Sequence, residues 1–309
     1  MVKAIKNIMR EKGMASNLLH LLSEEERKKL QATLLNMFVD IKNVCESLDL
    51  DYTLIGGSVL GAIRHKGFIP WDDDLDMGLS REDWHVFKCH FPQLLGEKYI
   101  MEAPGYDGKD TKQLVAKIYL KDSEYIMMEE VNLPYHNCIY VDMFVIDNVS
   151  NNCIIYNFDC IVADILRAGA ITMQEYKYPS PILRDAMCSS SSMTLYFYLR
   201  KIIGMLFSVF TTHKKLCDFF DAFVSRHKKK TRRLTNATGL KKYREETLDA
   251  ELMYPTSRGE FCGIQVNLPC DTDAYLKHLY GDYMKLPPVG KRETHPIVKL
   301  TFPNNGSDK

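Results

Sequence analysis

The chain has 309 residues, 46% hydrophobic and 26% charged, which is ordinary globular composition and enough to bury a substantial core as one large domain or two small ones. Forty Lys plus Arg balance forty Asp plus Glu, so a general nucleic-acid binder, which needs a basic excess, is excluded, and any attraction for polyanions must come from local patches. Nine scattered cysteines without a Cys-x-x-Cys pair suit reduced thiols in a cytosol better than a disulfide framework, and they offer no zinc spacing.

Residues 1–17 lack an apolar stretch and a cleavage site, so no signal peptide is expected. Ser23 with Glu26 reads as a capping box. Leu30, Leu34, Met37, Ile41, Val44 and Leu48 then recur every three or four residues, which predicts an amphipathic helix up to about residue 48. A short buried strand follows at 52–55, and Gly56-Gly57 ends it in a tight turn. Ser58 is placed to cap a short helix through Arg64. Strands are expected at 74–79, at 114–119 with 125–128 beside it, and at 139–146, and a helix at 82–95. Residues 153–226 read as mostly helical, broken near Pro179, Pro181 and the serines at 189–192. The apolar stretch 195–210 is interrupted by Arg200 and Lys201. It reads as too short and too charged for a membrane span of about 20 residues. A core helix is the plainer reading, a membrane-surface helix the other. The basic run from Arg226 to Arg233 is a solvated loop by default, or a patch for an anionic glycan or lipid surface. A strand at 261–268 and a helix at 273–280 complete the pattern. Strands early and helices in the middle predict an α+β fold with a helical insertion. The expected division is a catalytic core at 1–150, a mostly helical insertion at 151–235, and a part at 236–309 that completes the active site.

The chemistry concentrates at Trp71-Asp72-Asp73-Asp74-Leu75-Asp76. If the extension begins at Asp72, strand alternation sets Asp72, Asp74 and Asp76 on one face and turns Asp73 outward. Several carboxylates on one face repel one another and resist ionising, so something positive must compensate. Mg²⁺ or Mn²⁺ is the natural candidate, since both take carboxylate oxygens and keep positions open for substrate phosphates. An exposed acidic turn would be commonplace, but this run is wedged between Ile69-Pro70-Trp71 and Leu75-Met77-Leu79. Gly56 and Gly57 would let backbone N–H groups approach a phosphate, and Ser58 adds a hydroxyl. Arg64 could fork to a phosphate or pair with the aspartates.

The run from Gly56 to Asp76, GGSVLGAIRHKGFIPWDDDLD, closely resembles the signature of the LicD family of phosphocholine transferases. Residues 139–147 (IYVDMFVID) resemble the family's second strand motif. Residues 275–288, followed by Lys291, Arg292 and His295, resemble its C-terminal signature. The resemblance implies a nucleotidyltransferase-like mixed sheet with flanking helices; the scattered cysteines point to a cytoplasmic enzyme, and the apolar stretch and basic run leave peripheral contact with the inner membrane surface as an expectation. It implies transfer of phosphocholine from CDP-choline to a sugar hydroxyl of a teichoic acid, lipopolysaccharide or capsular glycan or glycolipid. Transfer of phosphoethanolamine, a phosphonate or a sugar-phosphate, or an inactive nucleotide-binding relative, are the alternatives. Carried over by position, Asp72, Asp74 and Asp76 would hold the metal. Asp142 would add a further carboxylate, unless it is a buried carboxylate satisfied by backbone donors. Gly57 and Ser58, after Gly56, would cradle a phosphate, and Arg64, Lys117, Lys291 or Arg292 would balance charge on the departing CMP. Lys117 lies in a strand-like run, and an inward lysine there needs a partner. Tyr119, Tyr125, Tyr135 and Tyr140 are available to box a choline cation.

Overall fold

The computed structural model describes residues 19–106, 113–133, 136–188, 190–288, 292 and 295–303. The expectation for residues 1–17 lies outside them. Helix α1 (Glu24–Ser47) begins with the expected capping box: Ser23 Oγ accepts the Glu26 amide at 3.1 Å, and Glu26 Oε2 accepts the Ser23 amide at 2.8 Å. Its apolar stripe, with Leu30, Leu34, Met37, Phe38 and Ile41 all buried, packs on the main core.

Strand β1 (Thr53–Leu54), helix α2 (Gly56–His65), strand β2 (Asp76–Ser80) and helix α3 (Arg81–Leu94) follow. Strands β3 (Tyr99–Glu102), β4 (Ala116–Leu120), β5 (Glu124–Met127) and β6 (Tyr140–Asn148) complete the first half. Later come β7 (Arg233–Asn236) and β8 (Thr247–Asp249). Seven of these strands make one mixed sheet in the order β1-β2-β6-β4-β3, with β7 also on β6 and β8 outside β7. Among the described residues β2 and β6 run parallel, and the other pairs of this sheet are antiparallel. The fold is the expected α+β arrangement of a mixed sheet flanked by helices.

Helices α4 (Cys153–Lys177), α5 (Pro181–Met187), α6 (Ser191–Phe210) and α7 (His213–Val224) occupy the middle of the chain, and α4 and α7 share a second apolar cluster. They are tied to the sheet through Arg81. It is 8% exposed, forks onto both oxygens of buried Asp147 at 2.7 and 2.6 Å, and reaches Asp221 of α7 at 2.8 Å. A helix α8 (Thr272–Tyr280) packs against α2.

Three expectations are corrected. Residues 125–127 do not pair with the 114–119 strand; β5 pairs with strand β11 (Ile297–Thr301), far along the chain. Residues 261–268 are not one strand. They belong to a hairpin of β9 (Ser257–Phe261) and β10 (Ile264–Leu268), turned by Cys262 and Gly263 at φ +51° and +78°. The apolar run is neither short nor a core element: α6 has 20 residues, is long and apolar enough by length and composition to cross a membrane, and buries only Phe197 and Gly204.

Candidate active site

Strand register assembles the first part of the site. Asp76 of β2 stands opposite Asp142 of β6, and Lys117 of β4 stands opposite Asp142 from the other side. Residues opposed across neighbouring strands project from the same face. Asp76, Asp142 and Lys117 therefore form one row across three strands. Lys117 is the inward lysine: it is 6% exposed, with Nζ 3.4 Å from Asp142 Oδ1 and 3.2 Å from the Tyr140 ring centroid.

Asp72 and Asp74 are brought to this row without a strand, since β2 begins only at Asp76. The irregular stretch before it is pinned by its backbone. Gln31 of α1 donates to the Asp72 carbonyl at 2.8 Å, the Asp72 amide donates to Ile69 O, and the Asp142 amide donates to Leu75 O at 3.1 Å. The Asp72 and Asp74 carboxyls lie close enough to shift each other's titration. Asp73 does not point outward, because the strand alternation used to place it does not apply at 72–75. It is 6% exposed; Tyr125 donates to its Oδ2 at 2.8 Å, and His295 Nδ1 stands 2.7 Å from its Oδ1.

Burial and mutual repulsion set the electrostatics. Burial, then Asp74 and Asp73, push the Asp72 carboxyl well above the usual range. Burial and Asp73 push Asp74 up to about 6. Burial, then Asp74 and Asp142, push Asp76 well up. Asp142 is raised by burial against the opposing pull of Lys117. Its buried Oδ1 takes no backbone donor and faces the Lys117 ammonium at 3.4 Å. A set of buried hard oxygen donors that push one another's carboxyls up, with Lys117 as the counter-charge on Asp142, fits Mg²⁺ or Mn²⁺. One atom each from Asp73, Asp74 and His295 also lies within 4.8 Å of the others. Both Asp73 oxygens are engaged already, by Tyr125 and His295, which makes Asp73 a brace for the loop.

The glycines bring the start of α2 against these carboxylates. A Cβ on Gly57 would lie 3.4 Å from Asp72 Oδ2, and one on Gly56 would lie 3.5 Å from both Asp76 Oδ2 and Tyr280 Oη. Gly56 adopts φ +53° and donates its amide to the Tyr275 hydroxyl at 2.9 Å. Ser58 is not the helix cap, a position held by Ile55; it is buried in the first turn, where its Oγ accepts the Asp76 amide at 2.9 Å and fixes the start of β2.

The predicted cations divide. Arg64 makes no ion pair with the aspartates among the described residues. Its Nη1 donates to the Tyr283 carbonyl at 2.7 Å, and its Nε to His65 at 2.9 Å. Arg292 stacks on Trp71, 4.2 Å from the ring centroid. Lys291 lies outside the described residues, as does Tyr135. Tyr119 and Tyr125 flank Tyr140 at centroid separations of 5.8 and 6.0 Å, and Lys117 already sits on the Tyr140 face. Sequence reasoning missed four participants: Asp73, Tyr275, Tyr280 and Glu130. Glu130 is a buried acid pushed up to about 7 by its burial, against the pull of Lys117. Tyr275, Tyr280 and His295 lie in the C-terminal blocks quoted above, so the signal for them was on hand; Glu130 had none.

Residues 49–158 match the LicD/FKTN/FKRP nucleotidyltransferase domain. The chain is 26% identical over 277 residues to the lipopolysaccharide cholinephosphotransferase LicD of Haemophilus influenzae, an alignment covering 87% of this chain and 96% of that protein. Human ribitol 5-phosphate transferase FKRP is 49% identical over 43 residues, covering 14% of this chain and 9% of that protein. An uncharacterised protein of Rickettsia typhi is 39% identical over 70 residues, covering 23% of this chain and 21% of that protein.

Proposed function

We propose, from the match of residues 49–158 to the LicD/FKTN/FKRP nucleotidyltransferase domain, that the chain transfers phosphocholine from CDP-choline to a sugar hydroxyl of a cell-surface glycan and releases CMP. The observation that carries the reading is the convergence of Asp72, Asp74, Asp76 and Asp142 beside Gly56-Gly57, with Lys117 in register. The acceptor oxygen attacks the phosphorus that bears choline, and the bond to CMP breaks with its electron pair on CMP. Such a transfer needs positioning and charge neutralisation more than covalent help from the protein. Asp74 and Asp76 would hold Mg²⁺ or Mn²⁺, which when bound supplies the positive charge that the donor diphosphate requires. Asp72 or Asp142 takes the proton of the acceptor hydroxyl. Lys117 keeps Asp142 oriented and adds a fixed positive charge. Asp73, held by Tyr125 and facing His295, fixes the loop between the two groups of carboxylates.

The relative aligned over most of its length carries the cholinephosphotransferase name, which favours choline. The short, more identical match to a ribitol 5-phosphate transferase supports a sugar-phosphate donor as the second reading. CMP release from CDP-choline, CDP-ethanolamine and CDP-ribitol, with Mg²⁺ or with EDTA and defined glycan acceptors, tests both. Release confined to CDP-choline and abolished by EDTA is expected. Release from CDP-ribitol alone would transfer the conclusion to the second reading, and full activity in EDTA would remove the metal.

A further inference from the structure

We propose that the outer faces of α4, α6 and α7, with the basic segment that follows them, form a docking surface for an anionic lipid bilayer, on which the protein lies without crossing it. The first observation is how apolar surface is distributed. Among the described residues 23 large hydrophobic side chains are exposed, and 17 of them fall within residues 153–224. Phe158 and Ile161 of α4 are 59% and 61% exposed; Leu206, Val209 and Phe210 of α6 are 51%, 72% and 87% exposed. A soluble surface seldom exposes contiguous apolar side chains on this scale unless something covers them.

The second observation is charge. In a chain of zero net charge, residues 186–244 contain thirteen Lys and Arg but only two Asp. Those two are engaged, Asp218 by Lys214 and Asp221 by Arg81. The remaining acids of residues 153–224 are engaged as well. Asp159 is held by Arg226 and His227, Asp164 accepts the Tyr243 amide, Glu175 pairs with Arg200 and Asp185 with Arg184. The basic segment sits at the N-terminal end of α4. Arg226 and His227 bind Asp159 there, and the Arg232 amide donates to Asn151 at 3.3 Å, beside exposed Ile154 and Phe158. Lys228, Lys229 and Lys230 are exposed. An apolar face bordered by uncompensated positive charge complements an anionic membrane surface. A second copy of the same face would oppose lysine to lysine.

The third observation decides between lying on the bilayer and spanning it. α6 is fastened sideways to α4. A Cβ on Gly204 would meet the Thr172 carbonyl at 2.1 Å and one on Gly169 would meet the Phe207 ring at 2.7 Å, so the helices touch closely. Arg200 of α6 forks onto both Glu175 oxygens at 2.8 and 2.5 Å. A crossing α6 would have to give up that pair and both contacts or carry α4, with its buried Asp159 and its Asp164 and Arg167, into the bilayer with it.

The test is flotation of the full chain with vesicles of phosphatidylcholine alone, or with about 30% phosphatidylglycerol, where each surface Lys contributes about fivefold in affinity. Wild type should float with the anionic vesicles, weakly with the neutral ones, and be released by high salt or carbonate. Lys228→Gln with Lys229→Gln and Lys230→Gln should bind about a hundredfold more weakly. Leu206→Glu with Phe210→Glu should not float, while its circular dichroism and CMP release from soluble acceptors match wild type. Absence of flotation with anionic vesicles overturns the proposal. So does wild type that resists carbonate extraction, which means a spanning helix, or a sedimenting dimer that Leu206→Glu with Phe210→Glu dissociates. Vesicle binding and CMP release are separate readouts, so failure here leaves the enzymatic reading standing.

Discussion

Asp74→Asn tests whether the carboxylate cluster is held in tension against a missing positive charge. Asp74 is raised from 3.8 to about 6 by burial and by Asp73. A folded-state value above the unfolded one means that the folded chain binds the proton more tightly. The stability this gives is present below about pH 4 and is lost as the pH rises through about 6. At pH 7 the difference amounts to about 3 kcal/mol against the folded apoprotein, at 1.36 kcal/mol per pH unit. Asparagine cannot ionise and keeps a similar shape. Asp74→Asn should therefore raise the melting temperature in EDTA at pH 7 by about 5 °C. Wild type should gain about half as much, about 2 °C, on acidification to pH 5, because the full difference is recovered only below about pH 4. Mg²⁺ should raise the wild-type melting temperature at pH 7 and flatten its pH dependence, while Asp74→Asn should respond weakly to Mg²⁺ and release no CMP. Differential scanning fluorimetry in EDTA and in Mg²⁺ measures all of this. A variant that melts at or below wild type in EDTA, or that keeps the full Mg²⁺ shift, refutes the reasoning.

Arg81→Met should destabilise by about 3–5 kcal/mol, because it leaves Asp147, 2% exposed, as a buried charge without its fork; an unchanged urea midpoint would contradict this. Lys117→Met should lower kcat for CMP release about a hundredfold while the far-ultraviolet circular dichroism stays native, and wild-type kcat would remove Lys117 from the site. Gly57→Ala, where the new methyl would lie 3.4 Å from Asp72 Oδ2, should shift the melting temperature by no more than about 2 °C yet weaken Mg²⁺ binding, as isothermal titration would report. Equal Mg²⁺ affinity in Gly57→Ala would mean that the start of α2 does not constrain the carboxylates.

Local signals carried far in this chain where they were short in range. The capping box at Ser23 and Glu26 and the stripe of α1 depend on residues three and four apart, and the structure has both. Asp142 and Lys117 face each other because two strands meet in a particular register, which no local pattern states, although both side chains were singled out. Asp73 turns inward because period-two alternation holds only within β2, which starts at Asp76, and does not govern the four residues before it. The partner of β5 lies more than 160 residues away, and periodicity within 125–128 cannot specify it. β7 and β8 have only four and three residues, too few to display a period. For α6 the composition was read correctly but the environment was not, since apolar sequence alone does not distinguish a helix under the surface from one upon it.

The site is closed by contacts between the first and last parts of the chain: Gly56 to Tyr275 and Arg64 to Tyr283, each 219 residues apart, and Asp73 to His295, 222 apart. α4 to α7 lie wholly inside that span, with α4 and α7 sharing an apolar cluster of their own. Loop-closure entropy grows only with the logarithm of length, so doubling the intervening stretch would add about 0.6 kcal/mol to the cost of bringing those ends together. The helices between the two halves of the site are thus free to lengthen, shorten or change surface while the carboxylates keep their places. Variation in where such a protein sits, and in what it reaches, can accumulate there at almost no expense to its chemistry.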